Sequence, residues 1–324
     1  MRAEDIKNVS VIGSGMIGSG WAICFAMNGL NVILYDIKQE ALDWAKKHIE
    51  DSCQTLEDCG VLTPESKQAL FDRIAYTLDI KEALDHPDYI QECVPESFEI
   101  KRGTVAKIEE LAPPTALVGS SCSRMRISDM VTDEVVHKER YIIAHPFNPP
   151  HLVPAVELSK GPGTSQETED TVYAFFKRLK KEPVVLKKES IGHAGNLIQA
   201  AIGREINDLI GRGIIDWENA NRLLNYGPGF RHSVMGTTLL ADAGSAAGVA
   251  GLRKMGNTSG LRLDTQLANW VYPNPNSKNV PHEVDVIESL RKALLPPEAA
   301  ESREATRIYR DTLLIHQLQD HKLI

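Results

Sequence analysis

The sequence predicts an α/β fold: a mostly parallel sheet wound by helices through the first part of the chain, then an all-helical C-terminal domain. Three observations carry this. A glycine-rich turn follows a short apolar strand near the N-terminus, apolar strands then alternate with helical stretches to about residue 186, and nearly everything beyond reads as helix.

Val9, Val11 and Ile12 lead into Gly13-Ser14-Gly15-Met16-Ile17-Gly18, and Trp21, Ile23, Cys24 and Phe25 continue as a helix. This is the strand–turn–helix setting that a dinucleotide fingerprint needs. Gly13 suits the tight turn, Gly15 lets a pyrophosphate approach the backbone, and Gly18 lets helix and strand pack closely. Met16 and Ile17 open the helix and offer backbone amides to the phosphates. A glycine turn alone is weak evidence. The next strand, Asn31 to Tyr35, strengthens it by ending at Asp36, eighteen residues past Gly18. A carboxylate there accepts the ribose hydroxyls and repels a 2′-phosphate, so the expected cofactor is NAD rather than NADP, although Lys38 softens that repulsion. The N-terminal part is therefore of Rossmann type.

Gln39 to Leu56 and Pro64 to Phe71 read as helices, and Ile74–Tyr76, Tyr89–Cys93, Ala116–Gly119 and Tyr141–Ala144 as strands. Glu157 ends the apolar run Leu152 to Val156. A Gly161-Pro162-Gly163 turn, a helix from Gln166 to Leu179 and a last strand from Pro183 to Leu186 complete the first domain, residues 1–188. Residues 189–324 form the expected helical substrate-binding and dimerisation domain. Its helices are Ala194–Ile210, Trp217–Leu224, Val234–Leu240 and Ala299–Gln319, with a break at Tyr226-Gly227-Pro228-Gly229. Long apolar helix faces of this kind pack against a second copy, so a homodimer is expected.

A net charge of −8 gives no general attraction to nucleic acid or an anionic membrane. No apolar run approaches a membrane span and the start MRAEDIKNVS lacks a signal-like apolar segment, so a cytoplasmic location is expected. Five cysteines form no disulfide framework, since an odd number leaves one unpaired, and none sits in a zinc-type pattern, so no metal is expected.

A second constellation points to acid–base chemistry. His145 follows the apolar strand Tyr141–Ala144 and should stand at the carboxyl edge of the sheet, where open α/β folds bind their ligands. An imidazole there can take a hydroxyl proton as hydride leaves the same carbon, and return it in reverse. Glu157, twelve residues on, can hold the ring in one tautomer. Asn148 and Asn196 are amides able to contact substrate or nicotinamide. Ser123 also follows a strand, where its hydroxyl either meets the reacting oxygen or caps a helix.

With these motifs in place, the chain resembles the 3-hydroxyacyl-CoA dehydrogenase superfamily, more closely its short L-gulonate 3-dehydrogenase (lambda-crystallin) branch. Gly13 to Gly18, Gln91-Glu92-Cys93-Val94-Pro95-Glu96, His145-Pro146-Phe147-Asn148-Pro149-Pro150 and Val156-Glu157-Leu158 carry the resemblance over nearly the whole chain. It implies His145 as catalytic base, Glu157 as its charge partner, Ser123, Asn148 and Asn196 as polar contacts to cofactor or substrate, and Glu96 and Lys101 beside the cofactor. The chain departs from the family pattern at His193, where a larger apolar residue is usual, and at Leu197, where arginine is usual.

Gly227-Pro228-Gly229-Phe230-Arg231 resembles the corresponding segment of gulonate and carnitine dehydrogenases, and Arg231 can fork onto a free carboxylate or simply face water. Arg124 and Arg126 are open to the same two readings. A small L-3-hydroxy acid such as L-gulonate is therefore favoured over its alternatives, an L-3-hydroxyacyl-CoA thioester or L-carnitine. Carnitine would need an aromatic or acidic pocket for its trimethylammonium, and Tyr226 and Trp270 do not establish one. A non-catalytic nucleotide-binding protein would keep the glycine turn and Asp36 without needing the His145–Glu157 pair.

Overall fold

The computed structural model describes residues 2–233, 236–243, 283–320 and 322. An eight-stranded sheet forms its framework: β1 (Asn8–Ile12), β2 (Asn31–Tyr35), β3 (Ile74–Thr77), β4 (Tyr89–Glu92), β5 (Leu117–Ser120), β6 (Tyr141–Pro146), β7 (Ala155–Ser159) and β8 (Glu182–Leu186). Their order across the sheet is β3-β2-β1-β4-β5-β6-β7-β8. All neighbours are parallel except β6 and β7. Parallel strands need crossover helices, and these are α1 (Met16–Met27), α2 (Gln39–Asp58), α3 (Pro64–Phe71), α4 (Ile80–Leu84), α5 (Phe98–Leu111) and α6 (Ile127–Met130), with α7 (Gln166–Arg178) joining β7 to β8.

Helix α1 is the central packing element, because every residue from Gly18 to Ala26 is buried. A helix buried on all sides must be apolar all round, as Trp21-Ala22-Ile23-Cys24-Phe25-Ala26 is. Trp21 stacks on Phe25 with ring centroids 5.2 Å apart, and Phe25 meets Phe175 of α7 at 6.0 Å. The indole N–H of Trp21 donates to Ser121 Oγ at 3.1 Å, which removes the penalty of burying it. Replacing so large a buried side chain by alanine costs about 3–5 kcal/mol.

The chain falls into two compact units, Met1–Leu197 with Arg307–Ile324, and Ile198–Thr306. The expected single boundary after residue 188 did not provide for the return of the C-terminal helix, Arg303–Asp320, whose end belongs with the first unit. There Ile315 and Leu318 join the core, and the Gln319 amide donates to the Cys59 carbonyl at 3.0 Å.

Helix α8 (His193–Gly211) leads into the second unit, which continues with α9 (Trp217–Leu224). The expected break is a single π turn, Asn225–Gly229, containing Pro228. Proline lacks the N–H that would close the α-helical ladder, and the turn widens instead of stopping. The helix expected at 234–240 is observed at Thr237–Ala243, with 234 and 235 outside the described residues. Among the described residues no helix is long and apolar enough to cross a membrane.

Candidate active site

The cofactor side is built by the β1–α1 turn. Gly13 has φ +105°, and a Cβ there would stand 2.6 Å from the Cys93 carbonyl oxygen. A Cβ at Gly18 would lie 1.9 Å from the Gly13 oxygen, so both positions exclude other residues for reasons internal to the turn. At Gly15 a Cβ would meet nothing within 4 Å. The glycine there leaves open space over the backbone, the shape of a phosphate cradle. Gly15 is also the N-cap of α1 and provides no side-chain cap, so the first-turn amides at Met16 and Ile17 keep their capacity for an anion.

Asp36 stands at the end of β2 and is held against the turn. Its Oδ2 accepts from the Ser14 amide and hydroxyl, both at 2.9 Å, and its Oδ1 from the Ile37 amide at 2.8 Å. A carboxylate fixed beside an open glycine turn fits an adenosine ribose, and these residues together fit NAD.

The candidate acid–base pair comes from the one antiparallel pairing among the described strands. His145 of β6 and Glu157 of β7 are direct cross-strand partners. The His145 Nδ1–H donates to Glu157 Oε2 at 2.9 Å, and both residues are buried. Glu157 Oε1 accepts the backbone amides of Ala194 and Gly195 at 2.9 and 2.8 Å. The carboxylate is thus seated on the N-terminus of α8. Burial pushes its pKa up, but the hydrogen bonds from His145 and Gly195 outweigh it, and the group ends below the ordinary glutamate range. An ionised Glu157 fixes the proton of His145 on Nδ1. The other ring nitrogen, Nε2, makes no hydrogen bond to a described residue and is not sealed from solvent, which leaves an accessible lone pair.

The loop after β5 closes on the same place. Asn196 Nδ2 donates to the Ser123 carbonyl at 3.3 Å, and His193 Nε2 donates to the Cys122 carbonyl at 2.7 Å. The Ser123 amide donates to Glu96 Oε1 at 2.6 Å and the Cys122 thiol to Glu96 Oε2 at 3.0 Å. Ser123 does not cap a helix, since the N-cap of α6 is Arg126. His145, Glu157, Ser123, Asn196 and Glu96 are therefore brought together within one unit. Asn148 is exposed on the loop leaving β6.

Lys101, expected beside the cofactor, is held inside the protein. It is 1% exposed and spends its ammonium on Glu92 Oε1 and Oε2, at 2.8 and 3.0 Å, and on the Val94 carbonyl at 3.1 Å. Three acceptors use its three protons, so it ties the β4 edge to α5.

Other positioning residues went unread in the sequence. Gln91 receives the Tyr89 hydroxyl at 2.7 Å and donates to Ser121 Oγ at 2.7 Å and to the Ala144 carbonyl, next to His145, at 3.3 Å. Gly20 lets α1 touch the loop after His145, because a Cβ there would stand 2.6 Å from Pro150 Cδ. Gly195 lets α8 approach the pair, because its Cβ would stand 2.2 Å from the Phe147 ring and 3.1 Å from Glu157 Oε2. The glycines were visible, but the approaches they permit link residues far apart in sequence.

His193 lies in the left-handed region, φ +51°, with its ring 5.0 Å from that of His145. Donation from Nε2 to Cys122 leaves its Nδ1 buried without a partner, and burial chiefly lowers its pKa. Arg231 belongs to the second unit and is exposed, as is Tyr226. Trp270 lies outside the described residues.

Residues 8–190 match the family model for the 3-hydroxyacyl-CoA dehydrogenase NAD-binding domain. The chain is 36% identical over 248 residues to a 3-hydroxyacyl-CoA dehydrogenase of Gibberella moniliformis, covering 76% of each protein. It is 34% identical over 250 residues to an L-carnitine dehydrogenase of Oceanobacillus iheyensis, covering 77% of this chain and 79% of that one. Curated relatives also include lambda-crystallin homologues. Among solved structures, an NAD+-dependent dismutase, 5-formyl-3-hydroxy-2-methylpyridine 4-carboxylic acid 5-dehydrogenase, superposes with a TM-score of 0.79 at 26% identity, over 97% of this chain and 99% of that one. By motif, fold and relatives alike, the chain belongs to the 3-hydroxyacyl-CoA dehydrogenase family and is an NAD-dependent oxidoreductase.

Proposed function

We propose that this enzyme oxidises the 3-hydroxyl of a small L-3-hydroxy acid, of the L-gulonate kind, to the 3-keto acid. The observation that carries the chemistry is Glu157 seated between the His145 Nδ1–H and two amides of α8, which leaves His145 Nε2 as a base. The Gly13–Gly18 turn and Asp36 would hold NAD, which would supply the acceptor for the hydride of the substrate's 3-carbon. His145 Nε2 accepts the hydroxyl proton, and Glu157 stabilises the resulting imidazolium. Ser123 and Asn196 supply dipoles toward the developing alkoxide, and Asn148 contacts cofactor or substrate from the opposite loop.

The free-acid reading rests on Arg231 as a carboxylate partner and on the L-carnitine dehydrogenases among the relatives, whose substrate also carries a 3-hydroxyl and a carboxylate. A second reading, an L-3-hydroxyacyl-CoA thioester, draws on the Gibberella relative. The protein is further proposed to be a cytoplasmic homodimer. Exposed Leu223, Phe230 and Leu239 of the second unit favour self-association. Light scattering that gives a concentration-independent monomer would remove the dimer.

The catalytic assignment is tested by His145→Ala. The variant should bind NAD as the parent does and lose about 10²–10⁴-fold in kcat. Unchanged turnover would refute the role.

A further inference from the structure

Arg124 follows Ser123 directly in the loop that closes on the catalytic pair. The Ser123 carbonyl holds Asn196 and the Cys122 carbonyl holds His193, whose ring lies 5.0 Å from that of His145. The Ser123 amide, one residue before Arg124, donates to Glu96 Oε1 at 2.6 Å.

The other arginines of the first unit are all engaged. Arg126 forks onto Asp129 through Nε and Nη2 at 3.0 and 2.7 Å. Arg140 is buried on Glu109, Arg178 holds the Ala3 and Ile6 carbonyls, and Arg102 holds the Asp129 carbonyl. Arg2 pairs with Asp5, Arg73 reaches the Gly29 carbonyl, Arg310 pairs with Asp311, and Arg307 is also engaged. The Arg124 guanidinium alone is exposed with no hydrogen bond, ion pair or ring contact to a described residue. The sequence leaves Arg124 and Arg126 equivalent, and the structure separates them.

An unpaired guanidinium presents a planar fork that matches a carboxylate in two parallel hydrogen bonds. In a 3-hydroxy acid the carboxylate lies two carbons from the reacting centre, which suits a cation carried one residue from Ser123. We propose that Arg124 is a specificity-determining residue that binds the substrate's carboxylate from the unit carrying His145, independently of what Arg231 adds. This rests on the small-acid reading above. It adds a physical reason for rejecting neutral esters, since an unneutralised guanidinium gains nothing from them.

The test is steady-state kinetics on the full chain with L-gulonate, L-carnitine and L-3-hydroxybutyrate, each beside its methyl ester, and with L-3-hydroxybutyryl-CoA, for the parent, Arg124→Gln and Arg124→Lys. For the acid that the parent oxidises best, Arg124→Gln should raise KM at least tenfold, leave KM for the methyl ester within about twofold, and be partly rescued by Arg124→Lys. An unchanged KM for the free acid in Arg124→Gln overturns the proposal while leaving the small-acid reading standing. An equal rise for acid and ester also overturns it, because the effect is then not one of charge. If the parent oxidises L-3-hydroxybutyryl-CoA and none of the free acids, the small-acid reading falls and this assignment with it.

Discussion

His145 and Glu157 face each other across the antiparallel β6–β7 pairing, with Nδ1 and Oε2 2.9 Å apart. The contact is set by strand register, so a rigid ladder holds it. Two amides from α8 hold the far oxygen of the same carboxylate. The proposed base is therefore oriented by groups that would not themselves react.

Glu157→Gln should keep the fold and lower kcat by roughly 10²-fold or more, because an amide neither fixes the Nδ1–H tautomer nor stabilises an imidazolium. Loss confined to KM, with kcat intact, would contradict the orienting role. The sign of the pH effect follows from the lowered pKa of the carboxylate. Glu157 stays ionised through the ordinary carboxylate range, so its part in activity disappears only as pH falls below that range.

Gly195→Ala tests the same seat from the other side. The added methyl would meet the Phe147 ring at 2.2 Å and Glu157 Oε2 at 3.1 Å, so α8 or the pair must shift. A displacement of this size near the reacting groups should cost at least tenfold in kcat. A variant with parental kcat would show that the α8 terminus does not hold the pair.

Asp36 is proposed to set cofactor choice. Asp36→Asn removes the charge beside the glycine turn while leaving oxygen to accept from Ser14. The kcat/KM ratio of NAD to NADP should fall by at least tenfold, chiefly through weaker NAD binding and reduced repulsion of the 2′-phosphate. An unchanged ratio would place cofactor discrimination elsewhere.

Stability in acid should depend on Glu109. Burial pushes its carboxyl up, but hydrogen bonds from Arg140, Tyr141 and the His137 amide bring it down to about 2. A folded pKa below the unfolded value of about 4.3 means stabilisation that is complete above that value and is lost as pH falls toward about 2. Glu109→Gln should cost roughly 3 kcal/mol near neutrality, because it leaves the buried Arg140 guanidinium without its counter-charge. It should also flatten the stability profile across that acid window, as read from urea unfolding at several pH values. A parental profile in the variant would contradict the linkage.

Much of the cofactor side was legible because its signals are local: a strand, three glycines at fixed offsets and an acidic strand end. His145 was placed at the edge of the sheet for the same reason. The direction of β7 was not legible, since the alternation in Ala155–Ser159 reads the same in either orientation, and with it the cross-strand pairing to Glu157. Glu157 sits within its strand instead of ending a run. Lys101 shows the limit of charge pattern, because only the fold reveals that Glu92 and the Val94 carbonyl use its donors. The return of the C-terminal helix to Cys59 spans 260 positions and leaves no local trace.

The most direct measurement of the central claim is NADH formation by the parent and by His145→Ala, with NAD and matched L-gulonate, L-carnitine and L-3-hydroxybutyryl-CoA. The parent should turn over a free acid selectively, and the variant should lose nearly all of that turnover while still binding NAD. Equal turnover by the two proteins would contradict His145 as the base, and selective turnover of the thioester would contradict the small-acid substrate.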